Sequence, residues 1–175
     1  MASVDIAVPC YQYGRFLEAC VSSILSQGIE AVRILIVDNA STDGSAETAR
    51  ALSRSDDRIE VLCRERNTGP HASFNAGVDW ATADYFMVLC ADDLLAPGAL
   101  RSAVDVLERR PKAAFAYGED VHWREGTSLP RTDEDGKADW RIEPGRDFIT
   151  QRCRPPERYI AAGMVLVRTA AQKAA

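Results

Sequence analysis

No stretch of this 175-residue chain approaches the roughly 20 consecutive apolar residues that a membrane-spanning helix needs. The opening Met1-Ala2-Ser3-Val4-Asp5 lacks the basic start and long apolar core of a signal peptide. No Cys-x-x-Cys pair occurs, and the five cysteines are odd in number, so neither a disulfide framework nor a zinc site is suggested. Cys20, Cys63 and Cys90 lie in apolar segments, where a reduced thiol behaves as a small hydrophobe. These features point to a reducing, cytoplasmic compartment. The two histidines, His71 and His122, read as packing or surface residues. A net charge of −5, from 21 basic and 26 acidic residues, disfavours non-specific binding to DNA, and no nucleic-acid partner is expected. There is no nucleophile elbow, no G-x-x-x-x-G-K-[ST] loop and no G-x-G-x-x-G, which argues against α/β-hydrolases, P-loop enzymes and nicotinamide dehydrogenases.

What is present is an alternation. Short apolar runs at 4–8, 32–37, 59–63, 85–90 and 113–117 read as strands. Between them lie helical stripes: Phe16, Leu17, Cys20, Val21, Ile24 and Leu25, closed by Gly28; a short helix over 45–53 with Asp43 as N-cap; Phe74, Gly77, Val78 and Ala81; and Leu100, Ala103, Val104 and Leu107, opened by Pro97 and closed by Pro111. Strands alternating with helices predict an α/β fold, a mostly parallel sheet covered on both faces. Residues 125–158, rich in Gly, Pro, Asp and Glu, with Arg152, Arg154 and Arg158 around Pro155-Pro156, read as a long loop or excursion. Strand character returns over 160–167. The expected organisation is a core over 1–124, an excursion over 125–158 and a late strand over 159–175.

Ligands of such sheets sit beyond the carboxyl ends of the strands. The residues there are Pro9-Cys10-Tyr11, Asp38-Asn39, Arg64-Glu65-Arg66-Asn67 and Ala91-Asp92-Asp93. Adjacent carboxylates after a buried strand suit a hard divalent cation, because Mg²⁺ takes one or two protein carboxylates and completes its shell with water and phosphate; alternatively they cap the next helix. Asp38 or Asn39 could accept from a base or ribose, or stabilise the turn. Tyr11 could stack on a nucleobase, or pack on the sheet edge. Arg66 could offset phosphate charge. Glu119-Asp120, after the fifth strand, either faces the site or forms a solvated turn.

Taken in order, these motifs resemble those of the family 2 glycosyltransferases, which have the GT-A fold. The resemblance rests on Val4-Asp5-Ile6-Ala7-Val8-Pro9-Cys10-Tyr11, on Ser22-Ser23-Ile24-Leu25-Ser26-Gln27, and on Ile36-Val37-Asp38-Asn39-Ala40-Ser41-Thr42-Asp43-Gly44-Ser45. It continues through Arg66-Asn67-Thr68-Gly69, Asn75-Ala76-Gly77, Ala91-Asp92-Asp93 and Gly163-Met164-Val165-Leu166-Val167-Arg168. It implies a Rossmann-like α/β/α sandwich that transfers a sugar, with inversion, from a nucleoside-diphosphate donor of UDP or dTDP type to a hydroxyl of a glycan, lipid or protein. It places Pro9 and Tyr11 at the base, Asp38 and Asn39 at base or ribose, and Arg66 and Asn75 near the nucleotide. Asp92 would approach the ribose or a metal-bound water, and Asp93 would ligate Mn²⁺ or Mg²⁺. The family's acceptor-side base, usually in a Glu-Asp motif after the late strand, has no counterpart before Ala175; Glu119 and Asp120 are the substitutes on offer. The expectation is therefore the donor-binding portion of such an enzyme, working at or near the cytoplasmic face of a membrane through its acceptor; the alternative is a non-catalytic nucleotide-sugar-binding module. A nucleotidyltransferase is disfavoured, since no Lys-containing, Gly-rich loop follows the first strand. The late strand, left bare, would favour self-association.

Overall fold

The computed structural model describes residues 2–124, 126–127, 140–153, 160 and 162–175. Arg154, Pro155, Pro156 and Arg158, and most of the expected excursion, lie outside the described residues. The elements are β1 (Val4–Cys10), α1 (Gly14–Leu25), β2 (Val32–Asp38), α2 (Ser45–Ser55), β3 (Ile59–Cys63), α3 (Pro70–Trp80), β4 (Tyr85–Val88), α4 (Ala99–Arg109), β5 (Phe115–Tyr117), α5 (Gly145–Arg152), β6 (Val165–Arg168) and α6 (Thr169–Lys173). They build a six-stranded sheet in the order β3-β2-β1-β4-β6-β5. β1 pairs parallel with β2 and β4, and β2 with β3, whereas β6 runs antiparallel to both of its neighbours. The expected mostly parallel α/β sheet is present.

Alternation along the strands assigns the two faces. Val4, Ile6, Val8 and Cys10 of β1 and Ile34 and Ile36 of β2 meet the buried stripes of α1 and α4 in the main core. On the other face Ala7 and Phe86 pack with Ala81, Val78 and Val167. Gly77 of α3 is required there: a Cβ on it would lie 2.4 Å from the Cβ of Ala7. Asp5, on the same face, is fully buried. Its carboxylate accepts from Arg33 Nε at 2.9 Å and Nη2 at 2.7 Å, and from the backbone N–H groups of Thr82 and Ala83 at 2.7 and 2.9 Å, fixing the entry to β4.

Four expectations are corrected. Helix α2 has Gly44, in the left-handed region at φ 90°, at its N-cap. Asp43, one residue earlier, does the capping, accepting from the Ser45 N–H at 3.1 Å and its hydroxyl at 2.5 Å. Helix α5 lies inside the expected loop: Phe148 meets Phe115 and Tyr117 edge-on, and Arg152 stacks 4.9 Å over Phe148, so α5 covers the outer strand β5. The late strand is shorter than expected, a 3₁₀ turn at Ala162–Met164 leading into four residues of β6. That strand is also not bare. It sits between β4 and β5 with Leu166 fully buried and Val167 partly buried against the second core, so the apolar face expected to drive self-association is at least partly packed.

Candidate functional site

The chain steps from β1 outward to β2 and β3, then returns to place β4 on the other side of β1. The reversal makes the crevice above β1 and β4 the place where such sheets receive ligands. The carboxyl ends of β1, β2 and β4 bring Tyr11, Asp38 and Asp92–Asp93 to this edge.

At the end of β2, Asp38 is 2% exposed. Its Oδ2 accepts from the Ser41 N–H at 3.3 Å, a long contact, while its Oδ1 is buried with no hydrogen-bond partner among the described residues. Buried acceptors are nearly always satisfied, so an orphaned carboxylate oxygen marks a place made for a donor. Asn39, 4% exposed, is the opposite case. Its Nδ2 donates to Asn67 Oδ1 at 2.8 Å and to Gly69 O at 3.3 Å, and its Oδ1 accepts from the Thr68 N–H at 3.1 Å. These bonds tie the β3–α3 loop to the end of β2.

At the end of β1 the structure adds a residue that the sequence did not single out. Gln12 takes a left-handed backbone, φ 62°, uncommon without glycine. In that pose its side chain exchanges two bonds with Thr42: Nε2 donates to Oγ1 at 3.0 Å, and Oε1 accepts from the N–H at 3.2 Å. Its own N–H donates to Ser41 Oγ at 3.0 Å. Gln12 thus clamps the β1–α1 loop onto the β2–α2 loop and leaves Tyr11 projecting, 45% exposed. Pro9 is half-buried, paired with Val37 of β2.

Beyond β4, a turn closes with the Asp93 N–H donating to Cys90 O at 2.9 Å. It folds the acids back over Cys90: one ligand atom each from Cys90, Asp92 and Asp93 lie within 4.8 Å of one another. Shielding from water, then the charges of Asp92 and Asp120, hold the Asp93 carboxyl above the usual carboxylate range. Burial first, then the charges of Asp93 and Asp92, push the Cys90 thiol up to about 11. Cys90, read from sequence as a strand hydrophobe, is half-buried beside these carboxylates. Gly163 stands against them; a Cβ there would approach Asp93 Oδ2 to 3.4 Å. Crowded negative charge and a pair of hard oxygen donors suit Mg²⁺ or Mn²⁺.

The remaining candidates divide. Arg66 is exposed and lines a surface groove with Arg64, Glu65 and Thr68. Asn75 is exposed in mid-helix on α3, and no hydrogen bond joins it to the other candidates. Glu119 and Asp120 are both exposed; the charge of Asp120 reaches Asp93, and its Oδ2 lies 3.4 Å from His122 Nε2.

Comparisons with known proteins agree with this architecture. The family model described as "Glycosyl transferase family 2" matches residues 5–173, so the chain belongs to that family. It is 34% identical over 92 residues to "Glycosyltransferase GlyG" of Streptococcus pneumoniae, covering 53% of this chain and 31% of that protein. It is 27% identical over 128 residues to "Putative teichuronic acid biosynthesis glycosyltransferase TuaG" of Bacillus subtilis, covering 73% of this chain and 51% of that one. The chain thus spans about a third to a half of these curated relatives. Among solved structures, S. aureus TarS 1-349 in complex with UDP-GlcNAc superposes with a TM-score of 0.73 at 17% identity, over 98% of this chain and 47% of that one. The Pyrobaculum calidifontis mannosyltransferase PcManGT, in complex with GDP-Man and Mn²⁺, superposes with a TM-score of 0.67 at 18% identity, over 95% and 44%. The fold is the GT-A fold.

Proposed function

We propose that this chain is the donor-binding part of an inverting glycosyltransferase that takes a nucleoside-diphosphate sugar together with Mn²⁺ or Mg²⁺. The observation that carries the reading is the buried, unpartnered Oδ1 of Asp38 on the same sheet edge as the Asp92–Asp93 turn. An acceptor sealed from water suits the ring N–H of a nucleobase, and the acidic turn suits the metal that accompanies a diphosphate. Proteins of this fold solved in complex with UDP-GlcNAc and with GDP-Man and Mn²⁺ support the same class of ligand.

Each residue then has a task. Tyr11 stacks on the base, Asp38 accepts from its edge, and Asn39 acts indirectly by holding the β3–α3 loop in place. Arg66 lends positive charge near the phosphates. Asp93 would hold the cation and Asp92 a water or hydroxyl beside it. When bound, the cation offsets the negative charge that gathers on the departing diphosphate. Asp120 adds to the negative field at Asp93, and its contact with His122 suits that supporting part better than proton abstraction from an acceptor.

Calorimetry with UDP, dTDP and GDP, in Mn²⁺ and in chelator, tests the reading. Binding should strengthen with metal, and Asp93→Ala should lose most of that gain with the fold intact, because Asp93 lies in an exposed turn. Equal affinity with and without metal, or an Asp93→Ala variant keeping the full metal effect, overturns it. Incubation with the matching nucleotide sugar separates a transferase from a binding module, since a module leaves the glycosidic bond intact.

A further inference from the structure

The metal-binding turn carries a third donor of a different chemical kind. The 2.9 Å bond from the Asp93 N–H to Cys90 O fixes a four-residue turn, and Ala91, 1% exposed, anchors it in the core. The Cys90 carbonyl also receives the Cys20 thiol at 3.6 Å, so the backbone of Cys90 is held from two sides. The Cys90 Sγ is thereby kept with the Asp92 and Asp93 oxygens, all within 4.8 Å, the spread that ligands of one ion span. A set of one sulfur and two oxygens is not neutral between metals. Mg²⁺ and Mn²⁺ prefer oxygen and gain little from the sulfur, whereas Zn²⁺ and Cd²⁺ bind thiolate strongly.

We propose that Cys90 makes this turn a trap for thiophilic divalent cations, which bind through Cys90 Sγ together with Asp92 and Asp93 and displace the Mn²⁺ or Mg²⁺ that the carboxylates alone would hold. On binding, the sulfur–cation bond forms as the Cys90 S–H bond breaks and its proton passes to solvent; no electron changes hands. The inference rests on the metal reading of Asp92–Asp93 above. Any nitrogen, oxygen or sulfur site favours Zn²⁺ over Mn²⁺ to some degree, so the mark of Cys90 is the part of that preference which disappears with the sulfur.

The test uses the full 175-residue chain and Cd²⁺ alone, read by the ultraviolet thiolate-to-cadmium charge-transfer absorption, a signal independent of catalysis. One equivalent of Cd²⁺ should raise the band in the parent chain and in Cys63→Ser and Cys153→Ser. Cys90→Ser and Cys90→Ala should abolish it, and Asp93→Asn should weaken Cd²⁺ binding roughly 10-fold or more, as loss of a group supporting a metal site does. In competition, the Zn²⁺-over-Mn²⁺ preference should fall by a similar factor in Cys90→Ser, while Mn²⁺ affinity stays as it was. A band that survives in both Cys90 variants places the thiolate elsewhere and overturns the proposal; so does a Cd²⁺ affinity indifferent to Asp93. UDP binding measured on the same samples judges the donor reading separately: if it ignores Mn²⁺ while the band behaves as described, the thiol trap stands and the donor-metal assignment falls.

Discussion

Replacing Asp38 by Asn separates a ligand-binding carboxylate from a turn-forming one. Among the described residues this side chain is almost wholly buried, its Oδ2 has one contact at 3.3 Å, and its Oδ1 has none. A buried acceptor without a partner forfeits its hydration for nothing, at a cost of roughly 1–3 kcal/mol. Asn has the same shape without the charge, so Asp38→Asn should leave the free chain unchanged or up to about 1 kcal/mol more stable. Nucleotide binding should move the other way. A hydrogen bond to a charged acceptor contributes roughly 1.5–3 kcal/mol, which at 1.4 kcal/mol per decade weakens binding about 10- to 100-fold. Urea unfolding monitored by tryptophan fluorescence gives the first quantity, and calorimetry with UDP and Mn²⁺ gives the second. An Asp38→Asn chain that is more than about 1 kcal/mol less stable, yet binds UDP as before, would refute the argument and make Asp38 a structural residue.

Three further outcomes follow from packing and charge. Asp5→Ala should cost about 3 kcal/mol in chemical denaturation; Arg33 is 43% exposed and can rehydrate, but the Thr82 and Ala83 N–H groups lose their acceptor, and a loss under about 1 kcal/mol would show that they find water. Gly77→Ala should destabilise by roughly 1–3 kcal/mol, since its Cβ would meet Ala7 at 2.4 Å, and Ala7→Gly in the same chain should restore part of the loss; no rescue would mean that the clash lies elsewhere. The Asp56 carboxyl is held down to about 2, first by the Arg58 side chain and then by the Arg58 N–H, from an ordinary 3.8. A folded value below the unfolded one gives stability that is present above about pH 4 and lost as pH falls towards 2, so Asp56→Asn should flatten acid unfolding across that window, and an unchanged acid limb would discount the pair.

How much of this was legible depended on the range of the interactions. Strands β1, β2 and β4 were readable because each carries a mostly buried apolar run of its own, as Val32 to Val37 does. The antiparallel insertion of β6 was not, because four residues pairing Val167 with both Phe86 and Phe115 leave no local trace. Helix α5 was hidden by its composition: none of its residues is buried, and its anchor is the aromatic and guanidinium cluster of Phe148 and Arg152 on the outer strand. In the candidate site, Asp38 and Asp93 could be singled out for testing because carboxylates at the ends of apolar strands have few structural excuses. Asn39 could not be sorted in the same way. An amide that binds ligand and an amide that knits loops look alike in sequence, and only the structure shows the bonds of Asn39 to Asn67, Thr68 and Gly69.

Pro9 shows how a single residue records where the crevice opens. Proline cannot donate to a ladder, so it is foreign to a strand flanked on both sides. Successive residues of β1 address opposite neighbours: Cys10 O accepts from Asn39 N–H on the β2 side, and Ala7 O accepts from Leu89 N–H on the β4 side. Pro9, in step with Ala7, therefore turns its nitrogen towards β4. But the β1–β4 pairing ends at Ala7↔Val88, while β1 stays paired with β2 as far as Cys10↔Asp38. The missing N–H falls where β4 has already turned away towards Cys90 and the acids, so no ladder bond is lost. A proline tolerated there requires that the two strands separate before it, and that separation is the space into which Tyr11, Asp38 and the Asp92–Asp93 turn are brought.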